Sequence, residues 1–324
     1  MIRVTLPGLA ALDAAAEQVH RIMQPTPQIR WPLLCERAGA EVWVKHENHT
    51  PAGAFKVRGG VVYMEALKRR EPGIAGVIAA TRGNHGQSVA FAAARAGMRA
   101  VVVVPHGNSR EKNAAMRALG AELIEHGSDF QEAYEHATGL AESERLHFVP
   151  SFDPNLVAGV ASGPLELFRA VEGLDAVYVP IGMGSGICGA IAAREALGLR
   201  SEIIGVVAAG APAYALSFAA GKPVTTEQAR TIADGLACRI PDAEALDVIR
   251  RGAARVVSVS EEEIRASMRH LFSDTHNAAE GAGAAALAAL LQERSHMRGR
   301  RVAVILTGGN VDRDVFAHTL AEEC

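Results

Sequence analysis

Four segments of the chain combine reactive or hydrogen-bonding side chains with glycines. They are PAGAFKVRGG at 51–60, TRGNHGQS at 81–88, GMGSGICG at 182–189 and LTGGN at 306–310. A lysine amine such as that of Lys56 is a useful nucleophile when apolar surroundings lower its pKa. A glycine-rich loop that opens a helix presents converging N–H groups to a phosphate. The residue types therefore predict an amine nucleophile and an anion-binding loop.

The first and last of these segments are ambiguous when each is considered by itself. Lys56 lies between Phe55 and a glycine pair, which also fits an exposed lysine at the start of a helix. Thr307 offers a neutral hydroxyl at the tip of a strand, and the two glycines after it fit either a ligand contact or a simple turn. They indicate a functional site only if the fold brings them together.

The second segment follows an apolar strand and should open a helix. Its glycines at 83 and 86 let a ligand approach the backbone, and the first amides of the helix favour a carboxylate. Asn84 is expected to act both as the N-cap of this helix and as a ligand donor. His85 also fits a structural histidine.

The third segment fits two kinds of phosphate ligand. Gly184, Gly186 and Gly189 match the dinucleotide pattern G-x-G-x-x-G. That pattern requires an acidic residue at the end of the next strand to hold a ribose hydroxyl, and here that strand ends in Ala-Ala-Gly at 208–210. A simple phosphate site is favoured, and an NAD-dependent oxidoreductase is kept as an alternative.

Short β-branched runs alternate with alanine-rich helical stretches, which is typical of a parallel sheet covered by helices. Gly97 and Gly120 are expected just after helix C-termini, with Ser109 capping the helix between them. Ligands of such sheets bind at the carboxyl ends of the strands, where the four segments lie. The predicted strands are VWVK at 42–45, GVIAAT at 76–81, AVVVVP at 100–105, AELIEH, AVYVPIG, EIIGVVAAG and RVAVILTGG.

The bulk composition disfavours several classes of protein. The 324 residues are 49% hydrophobic and 21% charged, as in ordinary globular proteins. A net charge of -3 without a basic run argues against nucleic acid as a partner. Four widely separated cysteines predict neither a metal site nor a disulfide framework, so a cytoplasmic, reducing location is expected. The N-terminal 23 residues predict an amphipathic surface helix, and no membrane segment is expected because none reaches roughly 18 to 20 apolar residues.

Together the segments resemble the fold-type II pyridoxal-phosphate (PLP) enzymes, specifically their threonine/serine dehydratase and serine racemase branch. The resemblance runs through nearly the whole chain and includes KHENHTPAGAFKVRGG, TRGNHGQS, SFDPNLVAG, GMGSG, TIADG and LTGGNVD. It implies an α/β, two-domain fold like that of tryptophan synthase β, with twisted, mostly parallel sheets flanked by helices. Residues 1–70 and 152–324 would form the large PLP-binding domain and residues 71–151 a small inserted domain. A homodimer is expected, and a C-terminal regulatory domain is not.

The resemblance also implies roles for single residues. Lys56 would hold PLP covalently and take the Cα proton of the substrate, with Phe55 packed beside the cofactor. Asn84 would hydrogen-bond the ring hydroxyl, and Thr307 would face the pyridine nitrogen. The residues that would cup the phosphate are Gly182, Met183, Gly184, Ser185 and Gly186. The residues that would hold the amino-acid substrate are Thr81, Arg82, Gly83, Asn84 and His85.

The implied reaction is the PLP-dependent dehydration and deamination of a β-hydroxy-α-amino acid such as L-threonine or L-serine to a 2-oxo acid and ammonia. A hydroxyl partner such as Thr307 leaves the pyridine largely neutral, so the ring is a weaker electron sink. Prompt loss of a β-leaving group should then compete well with transamination. A β-replacing synthase is the nearest alternative within the family.

Several positions depart from the family pattern. Arg82 replaces a serine of the racemases, and because guanidinium is no base at neutral pH, little racemase activity is expected. Arg82 also raises the alternative of a bulkier or acidic substrate, phenylserine or 3-hydroxyaspartate, although a solvated surface arginine fits equally. The positions of the family's acidic metal ligands are Gly210 and Leu216, so no metal is expected. The unusual run AGVASGP at 158–164 is expected at the substrate or phosphate site.

Overall fold

The computed structural model describes residues 5–322 and has two sheets flanked by helices. The strands are β1 Gln28–Arg30, β2 Glu41–His46, β3 Gly76–Ala80, β4 Arg99–Val104, β5 Glu122–Glu125, β6 His147–Phe148, β7 Ala176–Pro180, β8 Glu202–Ala208, β9 Arg255–Val259 and β10 Arg301–Leu306. The helices are α1 Leu9–His20, α2 Pro32–Ala38, α3 Lys56–Arg70, α4 Asn84–Ala96, α5 Arg110–Ala118, α6 Phe130–Ser143, α7 Pro154–Val160, α8 Ser162–Ala170, α9 Ser185–Ala196, α10 Ala213–Ala220, α11 Ala243–Gly252, α12 Glu261–Thr275, α13 Gly281–Gln292, α14 Arg294–Met297 and α15 Arg313–Ala321.

The larger sheet has the strand order β1-β2-β10-β7-β8-β9, and only the short β1 runs antiparallel to its neighbour. Successive side chains of β7 enter different cores, because side chains alternate between the faces of a strand. Tyr178 packs with residues of α12 and α13 on one face, and Val177 and Val179 pack with residues of α8 and α9 on the other. Burial on both faces explains the continuous apolar run of β7.

The smaller sheet has the order β5-β4-β3-β6 and is wholly parallel. Along β3 the alternation is the same: Val77 and Ala79 face α4, whereas Ile78 and Ala80 face α6. Its strands all lie between residues 76 and 148, inside the segment for which a small domain is expected. The division into two domains stays a prediction.

The structure confirms the seven strands predicted from the sequence and adds β1, β6 and β9. Two of the missed strands have three and two residues, too few to show a periodic pattern. Gly97 and Gly120 have left-handed φ angles of 70° and 96° after α4 and α5, as predicted. Ser109 Oγ accepts from Lys112 N and caps α5.

Helix α1 confirms the amphipathic N-terminal helix over Leu9–His20, and residues 1–4 lie outside the described part of the chain. Its buried side chains are Leu12, Ala15, Ala16 and Val19. Cys35, Cys188 and Cys238 are free thiols, whereas Cys324 falls outside the described residues. Among residues 5–322, no helix combines the length and the apolar character that crossing a membrane requires.

Candidate active site

A cleft forms where α3 begins beside the carboxyl ends of β3, β7 and β10. Lys56, the first residue of α3, lines this cleft and its Nζ donates to Ser185 Oγ at 3.0 Å. The same Nζ lies 5.3 Å from the centre of the Phe55 ring. Burial lowers the pKa of Lys56 to about 8, because desolvation disfavours the ammonium. A larger share of this amine is therefore uncharged near neutral pH than in an exposed lysine.

The glycine loop between β7 and α9 lies against that amine. Gly184 caps α9 with φ +98°, a backbone conformation that side chains with a Cβ rarely adopt. The first amides of α9 have no helical acceptors, and Ser185 and Gly186 at its start line the cleft, so this terminus can bind an anion. All five predicted phosphate-binding residues line the cleft, namely Gly182, Met183, Gly184, Ser185 and Gly186.

Asn84 lies at the start of α4 with both ends of its carboxamide engaged. Its Nδ2 donates to Glu280 Oε1 at 2.5 Å, and Asn310 Nδ2 donates to its Oδ1 at 2.9 Å. One N–H of Asn84 is thus left for a ligand oxygen. The prediction that Asn84 is the N-cap is wrong, since Gly83 precedes the helix and Asn84 is its first residue.

Three charged residues that line the cleft were not predicted as site residues, namely Lys112, Asp234 and Glu280. Lys112 Nζ donates to Asp234 Oδ2 at 2.7 Å and to Glu280 Oε2 at 2.9 Å. Burial opposes the charge of Lys112, but the two carboxylates outweigh it and hold the pKa above its ordinary value. The sequence offered only the segment TIADG, which contains Asp234, as a signal, because the partners of Lys112 are 122 and 168 residues away.

Thr307 follows β10 and is buried in the wall of the cleft. Its carbonyl accepts from Phe55 N at 2.9 Å, which ties the end of β10 to the start of α3. Within the described residues its Oγ1 has no hydrogen-bond partner. A free hydroxyl at this place can serve a ring nitrogen of a ligand.

The predicted substrate loop, residues 81–85, also lines the cleft. Thr81 Oγ1 accepts from Gly83 N at 3.0 Å, and Arg82 between them is exposed. His85 is buried, and burial with the nearby charge of Lys56 lowers its pKa to about 4. His85 is therefore neutral at pH 7 and cannot act as a cation for a carboxylate.

The expectation for AGVASGP at 158–164 is wrong. This segment lies in α7 and α8 against α3 and does not line the cleft. Ser162 Oγ accepts from Arg58 Nη1 at 3.0 Å, and a Cβ on Gly159 would lie 2.4 Å from Arg58 O. The departure from the family pattern therefore concerns helix packing.

Position 210, where related enzymes have an acidic metal ligand, is a glycine whose surroundings are closed by the backbone. A Cβ on Gly210 would come within 1.9 Å of Arg230 O, and Arg230 N donates to Gly210 O at 2.9 Å. Within residues 5–322, no group of three or more His, Cys, Asp or Glu side chains could hold a metal ion. Independence from metal ions stays a prediction.

The residues of the cleft fit pyridoxal phosphate. Lys56 supplies an amine of lowered pKa, Ser185 places it at an anion-binding helix terminus, and Asn84 and Thr307 supply a free N–H and a free hydroxyl. A dinucleotide fits less well, because β8 ends at Ala208 without a carboxylate in the next two positions.

Comparisons with known proteins agree with this geometry. Residues 19–308 match the family model described as pyridoxal-phosphate dependent enzyme. The chain is 34% identical to an L-threonine ammonia-lyase of Thermotoga maritima over 308 residues, covering 94% of this chain and 76% of that protein. It is 32% identical to the biosynthetic L-threonine dehydratase of Pasteurella multocida over 95% of this chain, but spans only 60% of that relative's length. The solved structure of maize serine racemase superposes with a TM-score of 0.91 at 25% identity, covering 98% of this chain and 97% of that one.

Proposed function

Because the chain belongs to the family of pyridoxal-phosphate dependent enzymes, we propose that it removes water and then ammonia from a β-hydroxy-α-amino acid. L-Threonine and L-serine are the model substrates, and the products are a 2-oxo acid and ammonia. The observation that carries the proposal is the contact of Lys56 Nζ with Ser185 in the glycine loop. The relatives named L-threonine ammonia-lyase and L-threonine dehydratase support it.

Bound PLP supplies an electron sink for the bonds at the substrate Cα. Lys56 Nζ would hold the cofactor and, as a free amine, would accept the Cα proton. Its lowered pKa suits both tasks, since an amine that is always protonated can neither attack an aldehyde nor act as a base. The hydrogen bond to Ser185 holds the amine at one edge of the cleft.

The other cleft residues orient the reacting groups. Glu280 accepts from one N–H of Asn84 and fixes the carboxamide, so its second N–H would be free to bind the ring hydroxyl of the cofactor. Thr307 Oγ1 is free to hydrogen-bond the ring nitrogen without adding a full charge. The amides of 81–85 would hold the substrate carboxylate at the start of α4.

Purified wild type and Lys56→Ala test the proposal. We expect wild type to show the visible absorbance of a bound cofactor and to form 2-oxo acid from threonine or serine but not from alanine, which lacks a β-leaving group. Lys56→Ala should lose the absorbance. Its rate should fall by a factor of about 10² to 10⁴, which is typical for removal of a proton-transferring group. A colourless wild type, or a Lys56→Ala variant as active as wild type, would contradict the proposal. A β-replacing synthase would instead consume serine only with an added nucleophile.

We also propose that the active form is a cytoplasmic homodimer. Unpaired Cys35, Cys188 and Cys238 fit a reducing compartment. Leu33 on α2 is 53% exposed and Ile29 on β1 is 38% exposed, so apolar side chains are available to a partner. Light scattering of the purified enzyme would measure the mass directly.

A further inference from the structure

Three basic and two acidic side chains line the cleft, namely Lys56, Arg82, Lys112, Asp234 and Glu280. Lys112 pairs with both Asp234 and Glu280, so its amine is already engaged. Lys56 is committed to the cofactor in the proposed function. The remaining charged residue of the cleft wall is Arg82.

Arg82 has no hydrogen bond or ion pair within residues 5–322, and its side chain is exposed. The turn that carries it is nevertheless fixed. Thr81, which precedes Arg82, is buried, and its Oγ1 accepts at 3.0 Å from the backbone N of Gly83, which follows Arg82. Gln87 N also donates to Gly83 O at 3.1 Å, which anchors the turn to α4. A hydrogen-bonded turn therefore holds an exposed cation in the wall of the cleft.

A second anionic group on the substrate would give this cation a partner. The α-carboxylate already has the amides that open α4, and His85 in the same turn is neutral at pH 7. Guanidinium binds carboxylates through paired N–H donors and is charged at every working pH. Lys112 offsets one of the two carboxylates of Asp234 and Glu280, and burial raises the pKa of Glu280, which favours its uncharged form. Both carboxyl groups bond Lys112, and neither makes an ion pair with Arg82 within the described residues.

We propose that Arg82 selects β-hydroxy-α-amino acids whose side chain bears a carboxylate, with 3-hydroxyaspartate as the simplest example. The inference rests on the proposed function and deepens it by naming the substrate class. Elimination removes the β-hydroxyl and a Cα proton as water, and hydrolysis of the released product takes up one water. The net change is therefore loss of ammonia from 3-hydroxyaspartate to give the corresponding 2-oxo diacid.

The test compares kcat/KM on 3-hydroxyaspartate, threonine and phenylserine for wild type, Arg82→Ala and Arg82→Lys. Wild type should prefer 3-hydroxyaspartate to threonine and phenylserine by about tenfold or more. Arg82→Ala should lower kcat/KM on 3-hydroxyaspartate about tenfold to a hundredfold, as expected for loss of a charge-assisted hydrogen bond. Threonine turnover should change about twofold at most, and Arg82→Lys should recover part of the loss because it keeps a point charge.

Arg239→Ala is the matched control. Arg239 is exposed next to Cys238 of the cleft wall and donates to Thr226 O at 3.2 Å, so its removal deletes a nearby charge outside the cleft. We expect all three substrates to stay within about twofold of wild type.

Three outcomes would overturn the inference. Arg82→Ala could lower kcat/KM on all substrates equally, which would make Arg82 a partner of the α-carboxylate or of the fold. It could leave every substrate unchanged, as a solvated arginine would. Wild type could prefer phenylserine or threonine. Failure of the proposed function looks different, since wild type would then bind the cofactor visibly but form no 2-oxo acid from any of the three substrates.

Discussion

Two groups of charged residues lie near helix α3, and they differ in whether every member has a partner inside the protein. On the side away from the cleft, Arg58 Nε donates to Glu47 at 2.7 Å and its Nη1 to Glu166 at 2.6 Å. Lys45 Nζ donates to Thr26 O at 2.7 Å, to Gln28 at 3.2 Å and to Glu166 at 2.5 Å. We call the four charged side chains Lys45, Glu47, Arg58 and Glu166 the closed cluster.

In the closed cluster every strong donor has an acceptor inside the protein, and Arg58 and Lys45 are 0% exposed. In the cleft, by contrast, the hydroxyl of Thr307 and the guanidinium of Arg82 have no partner within the described residues. Charges of the closed cluster therefore serve the fold, whereas Arg82 can serve a ligand. A saturated group of ions can only stabilise or destabilise the structure, whereas unsatisfied donors at a rigid site are available for binding.

Removal of Arg58 should have the largest effect on the fold. Arg58→Met keeps much of the apolar stem but leaves Glu47 and Glu166 with Lys45 as their one remaining cation in the closed cluster. We expect a loss of about 3 to 5 kcal/mol in the free energy of unfolding, as for other broken buried ion pairs. The shift of the urea unfolding midpoint measures it.

Arg99→Met is its control on the surface. Arg99 bonds Glu122 and Glu144 in an exposed network, so the loss should stay below about 1 kcal/mol. Equal losses in the two variants would show that burial does not distinguish the closed cluster from a surface network.

Glu280→Gln and Glu166→Gln contrast the cleft with the closed cluster by the same chemical change. Glu280→Gln removes the charge that orients Asn84 and neutralises Lys112, so the Kd for PLP should rise about tenfold to a hundredfold. Glu166→Gln should instead lower the unfolding midpoint of the apoprotein and leave the Kd for PLP nearly unchanged. Titration of apoprotein with PLP and urea unfolding give the two readouts. If both variants weaken PLP binding alike, or both lower the unfolding midpoint alike, the cleft and the closed cluster do not differ in this way.

The pH dependence of cofactor attachment distinguishes two lysines whose pKa values are both lowered by burial, Lys56 and Lys45. Attack on the PLP aldehyde requires the uncharged amine. Since the pKa of Lys56 is about 8, the attachment rate should rise about tenfold per pH unit below pH 8 and level off above it. Rapid-mixing absorbance measurements on apoprotein give the profile.

A profile that keeps rising towards the ordinary lysine value of 10.5 would contradict a desolvated Lys56. Lys56→Ala should give no such phase, even though Lys45 remains. The amine of Lys45 already donates to Thr26 O, Gln28 Oε1 and Glu166 Oε2, and its side chain is buried and does not line the cleft.

The sequence alone determined the elements and the loops of the site. Alternation of β-branched runs with alanine-rich stretches predicted seven strands, and the glycines marked the turns after β3, β7 and β10. Both signals are local, because side-chain periodicity and backbone freedom are properties of a few neighbouring residues. The rule that ligands bind at the carboxyl ends of parallel strands then brought Lys56, the loop at 182–186 and Thr307 to one place.

The ionic partners depend on the three-dimensional packing of the chain. The pairing of Lys112 with Glu280 joins residues 168 positions apart, and Arg58 meets Glu166 across 108 positions. No local pattern encodes such contacts, because they depend on how α3, α5, α8 and α13 pack. For the same reason Asn84 could be assigned to the cleft from the sequence, whereas its acceptor Glu280 could not, and the segment 158–164 was expected in the cleft although it packs behind α3.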